Sequence, residues 1–120
     1  MLVLNKQKWT NAVTLNFIFS DDAFITELNY RFLNKKAVTD VIAFNLNDHN
    51  RNGLDGEVYI NLDQTVRQAN EFKIPFDEEL IRLVSHGVLH LLGFTDDTAT
   101  TQQKMHDHEN DIIFSIFGHK

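Results

Sequence analysis

Residues 77–92 carry the feature that most narrows what this chain can become. Leu80, Leu83, Val84, Val88 and Leu91 recur three and four residues apart, the spacing that lines side chains along one helical face. The segment is predicted to be a helix buried along that stripe. His86 and His90 fall on a neighbouring flank, one turn apart, where side chains with Cβ atoms about 5–6 Å apart can aim at a common point. Gly93 follows, and glycine at that place accepts the left-handed conformation that ends a helix and turns the chain back. Such a reversal brings Asp96 toward the histidines. Two imidazoles, one carboxylate and an open fourth position make up the ligand set of a catalytic zinc site.

The chain has no cysteine, so a transition-metal site must be built from His with Asp or Glu. The spacing from His90 favours Asp96 as third ligand, with Asp97, His106 and His108 in reserve. Gly87 lies between the histidines, and glycine inside a helix costs about 1 kcal/mol relative to alanine. Something at that position therefore excludes a side chain, either the close approach of substrate or backbone or the tight packing of another element. Gly87 also occupies the place where helical zinc peptidases carry their general base Glu. Peptide hydrolysis by that route is disfavoured, and the metal would have to lower the pKa of water toward about 7 unaided.

The remaining pattern alternates strands with helices. Val13-Thr14-Leu15-Asn16-Phe17-Ile18-Phe19 reads as a largely buried strand. Ser20-Asp21-Asp22 then offers a cap to a helix over residues 21–32, with Ala23, Phe24, Leu28 and Phe32 at helical spacing. Strands at residues 41–44 and 57–60 flank a polar turn containing His49 and Arg51 and form a hairpin. Asn61 or Asp63 caps a helix through Val66, Ala69 and Phe72. Thr100 and Gln103 stand at capping-box spacing before a last helix over residues 101–117, which ends at Gly118. The expected class is α+β, close to α/β: a small mixed sheet packed with helices, one of them a zincin-like metal-binding helix. At 120 residues a single domain over residues 1–120 is expected. The first apolar run is too short for a signal peptide and no stretch approaches the ~20 apolar residues of a membrane span, so a cytoplasmic protein is expected. A net charge of −6 argues against broad, charge-driven nucleic-acid binding.

His86-Gly87-Val88-Leu89-His90-Leu91-Leu92-Gly93-Phe94 resembles the signature of the YbeY family of bacterial metal-dependent endoribonucleases, which mature ribosomal RNA. Glu27-Leu28-Asn29, Thr39-Asp40-Val41-Ile42-Ala43-Phe44 and Gly56-Glu57-Val58-Tyr59-Ile60 resemble further family motifs, in the same order and at compatible separations. The resemblance covers residues 13–117. It implies zinc, or another divalent cation, held by His86, His90 and the residue in the third ligand position, and ribosomal RNA in the small ribosomal subunit as partner. The alternative it leaves is a ribosome-assembly factor whose metal is structural and whose nuclease activity is slight or absent.

Three departures from the family pattern bear on the site. The usual third ligand is a histidine after an aspartate, whereas this chain has Thr95-Asp96; two His and a carboxylate also serve in zinc hydrolases, with harder cations competing better. Counting without gaps puts Leu33 at the position of a functional arginine near the metal. Arg31, two residues earlier, is expected to take that role through a shift in register at the helix end, stabilising charge on the phosphoryl oxygens. Finally, the family has a strand and a helix ahead of the segment matching residues 13–19, and only 12 residues precede it in this sequence. A shortened form is expected, with a short strand at residues 1–4 and exposed apolar surface that invites self-association. Arg31, Lys35 and Lys36 make the tight positive cluster where RNA phosphates are expected to dock, and Tyr30, Phe32 and Phe94 are candidates for stacking on bases.

Overall fold

A computed structural model of the chain describes residues 13–35, 37–46 and 53–118. The expected strand at residues 1–4, Lys36, and the turn residues His49 and Arg51 lie outside them. The elements follow the order β1 (Val13–Ser20), α1 (Asp22–Leu33), β2 (Val41–Asn45), β3 (Leu54–Asn61), α2 (Leu62–Phe72), α3 (Phe76–Leu91) and α4 (Ala99–Phe117). The class is α+β, as the alternation predicts.

The sheet is mixed, in the order β1-β3-β2. β3 runs parallel to β1, with Phe17 opposite Val58, and antiparallel to β2, with Ala43 opposite Val58. The hairpin is therefore as expected, although β3 is longer than its apolar run suggested. As the middle strand it buries Leu54, Val58 and Ile60. β1 is less enclosed than its apolar run implied: Val13 and Phe19 are exposed, and Leu15 and Phe17 are partly buried against the core.

The core lies between this sheet and α3, where Leu83, Val88, Leu89 and Leu91 meet Val58 and Ile60, with Met105 and Ile112 of α4 closing the other side. Leu80 and Val84 pack on its margin. Gly87 lies where α3 packs tightly on the sheet. A Cβ there would lie 2.5 Å from Val58 Cγ1 and 3.2 Å from Val41 Cγ2. Tight packing of another element, one of the two explanations for a glycine at that place, is met here, and Gly87 also lines a cleft together with His86 and His90.

Three helix ends set the site. In α1 the Asp21 carboxylate accepts the N–H of Phe24 at 2.9 Å, and the buried residues are Ile25 and Asn29, so the inward stripe is displaced from the expected Phe24 and Phe32, both exposed. At the end of α3, Gly93 has φ +101°; its N–H donates to His90 O at 3.0 Å and that of Phe94 to Leu89 O at 3.0 Å, the paired bonds of a Schellman ending. α4 begins two residues earlier than expected, because the capping pair is Thr98 with Thr101. The Thr101 hydroxyl accepts the Thr98 N–H at 3.0 Å, the task an acid or amide usually performs at that position.

Candidate metal centre

His86 and His90 lie on one flank of α3 because they are four residues apart, and the Gly93 reversal returns the chain so that Asp96 faces them. His90 Nε2 is 3.0 Å from His86 Nε2. Asp96 Oδ2 is 3.3 Å from His86 Nε2 and 3.5 Å from His90 Nε2. Among the described residues these three form the group of His and acidic side chains able to hold a metal ion. Ligand atoms about 2.0–2.1 Å from a tetrahedral zinc stand about 3.3–3.4 Å from one another, and the observed triangle has edges of that size. Lone pairs converging so closely repel unless a proton or cation lies between them. The residues therefore fit a divalent ion.

The ring of His86 is fixed from behind. Its Nδ1 lies 2.7 Å from Glu109 Oε2, on α4. Glu109 is buried, and its other oxygen accepts from Arg82 Nη1 at 3.2 Å. Arg82 also donates to Asn110 Oδ1 at 3.0 Å and reaches within 3.9 Å of Glu79. Burial of the His86 ring opposes protonation, but the hydrogen bond and charge of Glu109, with Asp96 and Asp40 beyond, outweigh it and raise the pKa above the ordinary histidine value. With Nδ1 engaged by Glu109, Nε2 would have to be free of that proton to hold a metal ion. Burial also raises the pKa of Glu79, whose Oε1 has no hydrogen-bond partner while Oε2 accepts from Gln68 at 2.7 Å.

The three ligand residues open into a cleft of about 670 Å³ lined also by Asn29, Leu33, Lys35, Thr39 and Asp40. Two buried asparagines hold its rim. Asn29 Nδ2 donates to Ala37 O at 3.0 Å. Asn61 Nδ2 donates to Thr39 O at 3.2 Å and to Asp22 at 2.8 Å, and its backbone N–H donates to Asp40 O at 2.8 Å.

Not every residue singled out from the sequence comes to this place. Lys35 does. Arg31 does not line the cleft: its side chain is exposed, with Nε 2.7 Å from Glu27 one turn away. The reason is helical register. Asn29 and Leu33, four residues apart, share the cleft face, whereas a residue two positions from either is rotated by about 200°. The expected shift at the helix end is absent, since α1 ends regularly at Leu33 with Asn34 in the left-handed conformation. Asp97 accepts from the Thr101 hydroxyl, His106 is exposed, and the His108 ring packs edge-on against Phe94 at 4.8 Å, so none of the reserve ligands joins the triangle. Phe32 contacts Phe44, and neither it, Tyr30 nor Phe94 lines the cleft. Glu109 is the site-facing residue the sequence reading missed. Its signal was a carboxylate among Met105, Ile112 and Ile113 on the inward face of α4.

Relatives extend what the geometry indicates. The family model for Endoribonuclease YbeY matches residues 1–116. The protein named Endoribonuclease YbeY from Amoebophilus asiaticus is 37% identical over 105 residues, spanning 88% of this chain and 71% of that protein. Its namesake from Flavobacterium psychrophilum is 37% identical over 101 residues, spanning 82% of this chain and 69% of that one. The solution structure of TM1509 from Thermotoga maritima is similar with a TM-score of 0.68 and 28% identity, covering 98% of this chain and 75% of that one. By the extent of these matches and the cluster at His86, His90 and Asp96, the chain belongs to the Endoribonuclease YbeY family.

Proposed function

We propose that this chain is a metal-dependent endoribonuclease acting on single-stranded regions of ribosomal RNA during maturation of the small ribosomal subunit, as a single cytoplasmic domain. The observation that carries the reading is the triangle of His86, His90 and Asp96 at the floor of an open cleft. Among the described residues no helix is long and apolar enough to cross a membrane.

His86 and His90 would present Nε2, and Asp96 a carboxylate oxygen, to zinc; imidazole nitrogens favour a transition metal over magnesium or calcium. When bound, the ion supplies Lewis acidity toward phosphoryl oxygens and lowers the pKa of water. The protein's own part is to hold and orient. Glu109 keeps the Nδ1 proton of His86 engaged, so that Nε2 is the free donor to the ion. Lys35 on the rim offers a flexible cation to an RNA phosphate. Leu33 leaves the same face apolar, and Arg31 lies too far round the helix to neutralise charge in the cleft. With a net charge of −6, RNA is held at this local patch or through a partner.

The test pairs metal analysis with cleavage. Wild-type chain purified without an affinity tag should carry one divalent ion and cut a single-stranded RNA, and His86→Ala should lose both. Bound metal with no cleavage of any RNA, while the chain still sediments with the small subunit, would favour the assembly-factor reading. No bound metal in the wild type overturns the site.

A further inference from the structure

The geometry points to Glu109, braced by Arg82, as the positioning residue that aims His86 at the metal, an inference that rests on the metal reading above. The two residues lie on different helices and neither supplies a ligand atom to the triangle. Glu109 Oε2 meets His86 Nδ1 at 2.7 Å, while Oε1 is held by Arg82 Nη1 at 3.2 Å. The Glu109 side chain is only 6% exposed, so its carboxylate has little water to turn toward, and each of its oxygens has a protein partner.

A histidine bound to a metal through Nε2 can still rotate about its side-chain bonds, and it can carry its proton on the wrong nitrogen. A carboxylate at Nδ1 removes both freedoms: it requires the proton on Nδ1 and fixes the ring plane. It also makes the imidazole a better electron donor to the ion. Arg82 then matters because a lone glutamate on a long side chain is itself free to swing. Its guanidinium fixes one Glu109 oxygen and Asn110 together, which ties the orientation of a ligand on α3 to the docking of α4. The comparison within the triangle supports the asymmetry. His86 has this support, whereas the nitrogen contacts of His90 run to His86 and Asp96. His86 is thus the ligand whose geometry is set by tertiary structure.

The full-length chain, stripped of metal with a chelator, should be titrated with zinc against a competing indicator at one fixed pH, and with cobalt by visible absorption. Folding of each variant is checked by circular dichroism. Wild type should bind one ion. Glu109→Ala should bind zinc about 10- to 100-fold more weakly and give an altered cobalt spectrum. Glu109→Gln, which keeps an acceptor for the Nδ1 proton, should recover part of that loss. Arg82→Lys, which keeps the charge but loses the planar fork, should weaken binding without contacting any ligand, and it carries the test if Glu109→Ala does not fold. Wild-type affinity and an unchanged cobalt spectrum in a folded Glu109 or Arg82 variant overturn the inference while leaving the metal site intact. Absence of binding by the wild type overturns the metal reading, and this inference with it.

Discussion

Gly87 of α3 and Val58 of β3 are so close that a Cβ on residue 87 would lie 2.5 Å from Val58 Cγ1. Val58 is fully buried in the middle strand, so neither partner can retreat without moving the core. Overpacking of this kind costs about 1–3 kcal/mol, against about 1 kcal/mol returned by the better helix propensity of alanine. Gly87→Ala is expected to lose about 1 kcal/mol of stability on balance in urea unfolding. The double variant Gly87→Ala with Val58→Ala should be more stable than the sum of its parts, and simple additivity would mean the contact does not explain the glycine.

Asp96 brings a hard carboxylate to a site otherwise made of imidazoles. Asp96→His is expected to keep the ion and to raise selectivity for zinc over manganese, because imidazole suits zinc and carboxylate suits harder cations. Metal analysis after dialysis against equal concentrations of both ions measures this. Loss of all metal in Asp96→His would show that the loop after Gly93 does not place residue 96 as described.

Leu33 presents an apolar side chain where the cleft faces solvent. Leu33→Arg adds a cation beside the ligand triangle without displacing a buried group. It should bind single-stranded RNA more tightly and raise the salt dependence of binding by about 0.7 in the log–log slope, the value of one phosphate contact. Arg31→Ala, on the far side of the same helix, should change that slope less. Fluorescence anisotropy of labelled RNA across salt concentrations separates the two.

Asp22 receives both nitrogens of the Arg67 fork, at 2.9 and 2.7 Å, and a bond from Asn61. These bonds, that of Arg67 foremost, lower its pKa from 3.8 to about 2. The folded value lies below the unfolded one, so the pair stabilises fully above the unfolded value and its contribution is lost as pH falls through the folded value. Wild type should lose more stability than Asp22→Asn between pH 4 and pH 2, the window set by those two values, in urea midpoints. Parallel curves would show that the fork is not formed in solution.

Glu79 behaves in the opposite sense. Burial raises its pKa, so the folded chain binds the proton more readily than the unfolded chain and this group costs stability as pH rises. Glu79→Gln keeps an acceptor for Gln68 and should be the more stable chain at neutral pH, with a gap that closes in mild acid. A gap that does not change with pH would assign the effect to packing.

Much of the site was legible along the chain because it is local. Four-residue spacing fixes His86 and His90 on one flank whatever surrounds them, and Gly93 ends the helix because few other residues tolerate a φ of +101°. Asp96 follows from that turn. The capping pair of α4 was misread because threonine at the third helical position replaced the expected acid or amide. The inward face of α1 was misread because aromatic residues suggested a core stripe that the buried Ile25 and Asn29 occupy instead.

The sequence by itself determined the elements, the paired histidines and the metal-binding helix, since these depend on periodicity and on backbone conformation within a few residues. Only the tertiary structure decided which neighbour each face meets. It put Leu33 and not Arg31 in the cleft, gave Gly87 its reason in Val58, and brought Glu109 to His86 from 23 residues away. Helical spacing states which residues share a side, but the direction that side faces depends on how distant elements pack around one core.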